Sequence, residues 1–265
     1  MMKPEKTGLR LVKNNGASFF QFPHLKAFAD VQHAIFTRLG GYSRAPYRGL
    51  NVSFGQKDDP VNVKQNRELV ADCLSDSELV FVTQLHGADV VVIEQKTIVY
   101  KEGEAGGAPA GDAIVTNSPQ RLLVVQVADC QSVLFFDPVG RVAANAHCGW
   151  RGNIQNIIQK TIAVMTNRFG THAGDIRAGI GPSLGPCCAE FVNYKTEIPE
   201  KFWKYKTDTH HFDLWSLSLD QLCAAGVMRE NICMSGICTR CRSDLFYSYR
   251  GEGVTGRFAV AIGLR

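Results

Sequence analysis

The sequence predicts a mixed α/β protein, and three observations predict it. Ten short runs rich in Val, Ile and Phe are spread along the chain, amphipathic helical segments lie between them, and no run approaches membrane-spanning length. The composition, 45% hydrophobic and 20% charged over 265 residues, is that of a soluble globular protein. Such a length suits one large domain or two intimately packed halves, with enough chain to bury a sizeable core.

Taken in order, the first strand is "HAIFT" (33–37). A helix over 60–74 follows, entered by Asp59-Pro60, because proline is pre-set for the first helical position. "LVFVT" (79–83) and "DVVVIE" (89–94) are the next strands, and the Gly/Ala-rich "KEGEAGGAPAGD" (101–112) reads as a long flexible loop. Four strand-like runs then come close together: "DAIVTN" (112–117), "LLVVQV" (122–127), "SVLFFD" (132–137) and "VAANAH" (142–147). In "NIQNIIQKTIAVMTNRFG" the residues Ile154, Ile157, Ile158, Ile162, Met165 and Phe169 recur at three- and four-residue spacing, predicting one long helix stopped by Gly170. "DIRAGI" (175–180) is a strand. "DLWSLSLDQLCAAGV" (213–227) is a helix with Leu214, Leu217, Leu222 and Cys223 on its apolar side. "NICMS" (231–235) and "RFAVAIG" (257–263) complete the strands, and no internal repeat or low-complexity linker is present.

A net charge of +4 without a Lys/Arg run argues against a nucleic-acid groove. The start, "MMKPEKTGLR", lacks the apolar stretch of a signal peptide, so a cytoplasmic protein without membrane attachment is expected. Nine cysteines, an odd number in a chain this long, argue for reduced thiols rather than a disulfide framework. Cys73, Cys223 and Cys233 sit in apolar-patterned stretches and read as small hydrophobes.

Chemistry concentrates in "VADCQSVLFFDPVGRVAANAHCGWRG" (127–152). Asp137-Pro138-Val139-Gly140 has type I turn preferences, and such a turn pairs Cys130 directly with His147. Opposed side chains on an antiparallel pair have Cβ atoms roughly 4.5–5.5 Å apart. The two residues can be ligands of one metal, a nucleophile with its activating base, or a buried thiol beside a satisfied core histidine. His86, in the turn-like "QLHG" after a strand, favours the metal. His86, Cys130 and His147 make three protein ligands with an open fourth position, the pattern of catalytic zinc. Such a metal lowers the pKa of water to ~7, supplying a nucleophile without a strong protein base. Arg151, at the start of the long helix where the macrodipole disfavours cations, suggests an anion site or a loop-carbonyl or carboxylate partner.

Other candidates carry less. "GIGPSLGPCCAEF" (179–191) lacks the G-x-G-x-x-G spacing of a dinucleotide fingerprint. The vicinal Cys187-Cys188 can bind metal, but buried packing is the better account. "CTRC" (238–241) has redox or zinc spacing with no second C-x-x-C to complete a structural site. His210-His211 lie in a polar loop and read as solvated.

"TQLHG", "GDAIVTN", "VADCQSVLFFDP", "HCGWRG", "GIGPSLGPCC" and "FYSYRGEGVTGR" resemble, in this order, the signature blocks of the polyphenol oxidase/laccase-domain family, and "FTRLGGYSRAPYRGLNVSFGQKDDP" (36–60) extends the resemblance over nearly the whole chain. The resemblance implies a single domain, 1–265, with a layered sandwich of mixed sheets and flanking helices, related to the cytotoxic necrotizing factor catalytic-domain fold. It implies zinc on His86, Cys130 and His147, and a cytoplasmic enzyme that phosphorolyses adenosine, inosine and methylthioadenosine and hydrolytically deaminates adenosine. One departure is Cys148, where many members carry Ala; it sets a second thiol near the metal. The family's older name suggests a multicopper oxidase, but such centres need many histidines, largely as His-x-His. Seven histidines and no His-x-His argue for zinc over copper.

On this reading phosphate attacks C1′ of a nucleoside, or activated water attacks C6. Arg38, Arg151 and Arg250 are candidate phosphate or ribose contacts, and Asp112 or Asp129 is a candidate to orient the water. A metal-free hydrolase with Cys130 as nucleophile and His147 as base, acting on an amide such as a peptidoglycan precursor, is the competing enzyme. A non-enzymatic zinc-binding protein is the third possibility, for which an open coordination position is hard to explain. The sequence leaves the oligomeric state open.

Overall fold

A computed structural model describes residues 8–74, 77–95, 107–207 and 210–265. Its elements run β1 (Arg10–Asn14), β2 (Ala17–Gln21), α1 (Pro23–Lys26), β3 (Val31–Phe36), α2 (Pro60–Asp72), β4 (Glu78–Phe81), β5 (Val90–Ile93), β6 (Ala113–Thr116), β7 (Arg121–Val127), β8 (Gln131–Asp137) and β9 (Val142–Cys148). They continue with α3 (Trp150–Ile154), α4 (Ile157–Phe169), β10 (Arg177–Ile180), α5 (Tyr194–Glu197), α6 (Leu214–Ala224), β11 (Ile232–Met234), α7 (Tyr249–Glu252) and β12 (Phe258–Leu264). The mixed α/β expectation is met, and all ten expected strands are present.

Two strands went unread. β1 and β2 form a hairpin joined at Asn15-Gly16, both with positive φ. Asn-Gly is the strongest two-residue hairpin signal, but β1 is an exposed edge strand whose polar residues mask the pattern. Residues 101–106 of the expected Gly/Ala-rich loop lie outside the described residues.

The strands make two six-stranded mixed sheets, ordered β1-β2-β3-β12-β7-β4 and β11-β10-β8-β9-β6-β5. Period-two alternation sorts each strand between two cores. Val125, Val127, Val260 and Ile262 of the first sheet meet Ile114, Leu134 and Phe136 of the second between the sheets. The opposite face of the second sheet, with Val115, Val133, Phe135 and Ala144, packs on Ile157, Ile158, Ile162 and Met165 of α4 and Leu222 of α6. The opposite face of the first sheet packs on Leu69 and Val70 of α2. The order of layers is therefore helix, sheet, sheet, helices. Among the described residues no helix is long and apolar enough to cross a membrane.

Two helical expectations need correction. The stretch 153–170 is not one helix. Asn156 takes a left-handed conformation, φ 57°, and its side chain accepts from Gln159 N, so α4 starts afresh after a short α3. Asn tolerates that region and caps helices well. Cys223 is exposed, because α6 buries Leu217, Ser218, Gln221 and Leu222 instead.

Candidate metal centre

The hairpin of β8 and β9, with Cys130 just before β8, carries two of the three candidate ligands, but not in the expected register. The connection spans residues 138–141, with Arg141 at φ 52°, and Asp137 Oδ1 accepts from Val139 N and Gly140 N. His147 therefore pairs with Ser132 and Cys148 with Gln131. A shift of two residues preserves the face, so Cys130 and His147 become diagonal neighbours, still within reach of long side chains. Their ligating atoms and that of His86 all lie within 4.8 Å of one another. The same alternation sends Cys148 to the opposite face, into the core beneath α4, and burial pushes its thiol pKa up. Cys148 does not join the cluster.

Asp112 organises this centre. It stands immediately before β6, and its carbonyl accepts from His147 N, 2.7 Å. Asp112 Oδ1 accepts from His86 N at 2.9 Å and faces His147 Nδ1 at 2.8 Å, while Oδ2 accepts from Leu85 N at 3.2 Å and Gly87 N at 2.7 Å. Three successive amides aimed at one carboxylate form a nest, and they hold His86 at φ 58°. With Nδ1 of His147 engaged, Nε2 is the atom left for a metal, and a carboxylate behind a ligating histidine fixes ring and tautomer. Burial alone would raise the Asp112 pKa, but the His147 hydrogen bond and the amides of Gly87 and His86 hold it below the usual carboxylate value. Both of its oxygens are thus occupied within the protein, so Asp112 reaches the centre only through His86 and His147.

Burial is the largest single influence and opposes charge on both Cys130 and His147, but their mutual attraction and hydrogen bonding, with help from His86 and Asp112, together outweigh it. The Cys130 thiol is held down by His147 and His86, and the His147 imidazole is held up by Cys130 and Asp112. Cys130 is thereby poised as thiolate, the form that ligates metal or attacks carbon.

His86 is exposed, Cys130 half-buried and His147 buried, so the centre opens outward, into two clefts. One, about 320 Å³, is lined by Trp150, Leu184, Phe191 and Leu214 together with Asp129, Arg151 and Arg250. The other, about 560 Å³, is lined by Gln84, Gln126, Tyr249 and Arg257 among others. His86, Ala128, Cys130 and Tyr249 border both.

The remaining expected residues fall into different places. Asp129, at φ 83°, accepts from Thr239 Oγ1 and Arg250 N, each at 2.6 Å, tying two loops to the wall of the smaller cleft. Arg250 Nη1 donates to Glu190 O at 2.8 Å along the same wall. Arg151 is exposed and stacks on Trp150, 4.5 Å from its centroid. The macrodipole argument for Arg151 does not hold, because α3 has five residues and is separate from α4. Arg38 lines neither cleft. It donates to Glu252 Oε1 at 2.7 Å and to Ser243 O at 3.0 Å and lies over the Tyr247 ring. Sequence reasoning missed Arg257, which lines the larger cleft with Cys130 and His147. Its sequence signal is its place at the end of "FYSYRGEGVTGR", just before the last strand, and the pairing of β12 with β7 brings it to the centre.

Residues 32–265 match the family described as multi-copper polyphenol oxidoreductase laccase. A Deinococcus radiodurans protein named purine nucleoside phosphorylase is 35% identical over 88% of this chain and 89% of its own length. The Escherichia coli K12 protein named purine nucleoside phosphorylase YfiH is 32% identical over 92% of this chain and 97% of its own. Among solved structures, the Bacillus licheniformis hypothetical protein YfiH superposes with a TM-score of 0.84 at 27% identity, covering 97% of this chain and 99% of that one. With a match that takes in both sheets from β3 onward and every residue around the metal centre, the chain belongs to the laccase-like polyphenol oxidoreductase family that includes the YfiH-type proteins.

Proposed function

We propose that this protein is a zinc-dependent purine nucleoside enzyme that phosphorolyses adenosine, inosine and methylthioadenosine and hydrolytically deaminates adenosine. The observation that carries the proposal is the His86/Cys130/His147 cluster, whose outer side opens into two clefts. Two imidazoles and one thiolate backed by a buried carboxylate fit zinc, and seven histidines without a His-x-His pair do not fit a multicopper centre. When bound, zinc supplies Lewis acidity that lets water act as a nucleophile at neutral pH.

The protein's own groups divide the remaining work. Trp150, Leu184, Phe191 and Leu214 give the smaller cleft the apolar lining a purine needs, and its volume lies in the range of small-molecule sites. Arg151 and Arg250 provide the cationic side for phosphate. Asp112 positions His86 and His147, and Asp129 holds the Thr239 and Arg250 segments against the cleft. We take residues 1–265 as one catalytic domain acting on nucleoside and phosphate, not on nucleic acid or membrane. Nine free cysteines support a reducing, cytoplasmic setting.

A second reading is favoured by the Cys130 thiolate beside His147. In it Cys130, deprotonated by His147, attacks an amide, and His147 returns the proton to the leaving amine; a fold relation to the cytotoxic necrotizing factor catalytic domain is proposed under either reading.

One assay separates the two. Zinc-loaded protein should release inosine and ammonia from adenosine in phosphate-free buffer, and free base with ribose-1-phosphate once phosphate is added. His86→Ala should abolish both. Arg151→Ala should slow phosphorolysis about fivefold more than deamination, the ~1 kcal/mol scale of an exposed charge contact. If zinc-loaded protein leaves adenosine untouched in both buffers, the nucleoside reading fails. If chelator-treated protein then hydrolyses amides, the cysteine hydrolase replaces it.

A further inference from the structure

Away from the first centre, four thiols converge on one point. The sulfurs of Cys187, Cys188, Cys238 and Cys241 all lie within 4.8 Å of one another, with Cys187 and Cys188 each 3.6 Å from Cys241. We propose that these four cysteines bind a second, structural zinc ion as a tetrathiolate. The sequence showed a C-x-x-C with no second pair to complete it; the vicinal Cys187-Cys188 completes it in space.

The fold explains the convergence. β10 and β11 run parallel, and their pairing continues past the sheet as a bridge between Ser183 and Cys238. Thr239 N donates to Ser183 O at 3.0 Å and Ser183 N to Ile237 O at 3.2 Å. The two loops thus leave the sheet side by side, one carrying the vicinal pair and the other the C-x-x-C. Gly185 permits the close approach, since a Cβ there would stand 3.2 Å from Cys238 Cβ and 2.9 Å from Trp215.

Packing does not account for this cluster. Cys188 and Cys238 are buried beside Leu184 and Ala189, as core thiols would be. Cys187 and Cys241 are exposed, yet their sulfurs turn inward to the same point. A tetrahedral zinc site with Zn–S near 2.3 Å sets its sulfurs about 3.8 Å apart, close to the 3.6 Å from Cys241 to Cys187 and to Cys188. A disulfide would join two of the four and leave the other pair unexplained. Burial opposes charge on the Cys238 thiol, but the backbone N–H groups of Gly185 and Cys241 lie near its sulfur and favour the thiolate. Four soft donors and no oxygen or nitrogen ligand select zinc over magnesium, calcium or manganese. Such a clamp fixes the loops that carry Ser183, Leu184, Ala189 and Phe191 to the smaller cleft and Thr239 to Asp129.

The test is metal content of untagged protein, purified under reductant, equilibrated with zinc and desalted. Wild type should hold two zinc ions per chain, Cys187→Ser/Cys241→Ser one, and Cys130→Ser one. The Cys130→Ser arm keeps this site separable from the first centre and needs no change at the cluster. Cobalt(II) loaded into Cys130→Ser protein should show the sulfur-to-metal charge transfer and intense visible bands of a tetrathiolate. Absence of metal from reduced Cys130→Ser protein overturns the proposal. So does a cobalt spectrum unchanged by adding Cys187→Ser/Cys241→Ser, or a disulfide to Cys241 that persists under reductant.

Discussion

At the residue scale, Asp112 bears more of the centre than any ligand does. One carboxylate receives the amides of residues 85–87 and the ring of His147, so its two oxygens position two of the three candidate ligands. Asp112→Asn keeps the size, removes the charge and replaces one acceptor by a donor facing N–H groups. Loss of such a partner costs about 10–100-fold in metal affinity. A zinc-competition titration on Asp112→Asn should show a fall in that range with an unchanged circular dichroism spectrum; unchanged affinity would mean that the nest, not the carboxylate, sets the geometry. The sequence placed Asp112 near the site by its motif, but whether it faced the substrate or the ligands depended on partners up to 35 residues away.

At the element scale, α3 packs closely against the His86 turn. A Cβ at Gly152 would lie 2.7 Å from the Gly87 carbonyl, closer than backbone atoms can tolerate. Gly152→Ala must push α3 off the turn or displace Gly87, whose N–H donates to Asp112. Overpacking of this kind costs about 1–3 kcal/mol. We expect a lower unfolding midpoint in urea together with weaker zinc binding. A loss of stability with unaltered zinc affinity would show that the turn moves as a rigid unit. The glycine was visible in "HCGWRG"; its contact was not.

At the scale of the whole molecule, burial of His33 makes stability depend on pH. His33 lies in β3 with no exposed surface, and its Nε2 accepts from Phe22 N at 2.8 Å. Burial, then the charges of His24 and Lys26, lower its pKa to about 3. Below pH ~6.5 the unfolded chain takes up a proton that the folded chain refuses until about pH 3. The contribution is therefore intact above pH ~6.5 and is lost as the pH falls. Linkage gives about 2 kcal/mol between pH 7 and pH 5. His33→Gln keeps an acceptor for Phe22 N without a titrating group, so urea unfolding at both pH values should show a smaller acid loss for the variant by about that amount. Equal losses would sink the assignment to His33.

What the sequence determined by itself was local: strands from runs of β-branched and aromatic residues, a helix stop at Gly170, a turn after Asp137, and three candidate metal-ligating side chains within long motifs. What it could not determine was set by distant pairing. Cys130 and His147 were brought together by a four-residue connection whose register differs by two from the expected one, and the face survived only because side chains alternate with period two. The break at Asn156 replaced a helix that periodicity alone would have continued, since the apolar spacing is the same on both sides. Arg38 and Arg151 carried the same charge in the sequence, yet Glu252 holds one outside the clefts and the other lines one of them. The four-cysteine cluster needed β10 and β11, more than 50 residues apart, to lie parallel before a vicinal pair and a C-x-x-C could meet. Local preference is written in neighbouring residues, whereas coordination requires atoms from remote segments to share one point, and only tertiary packing fixes that point.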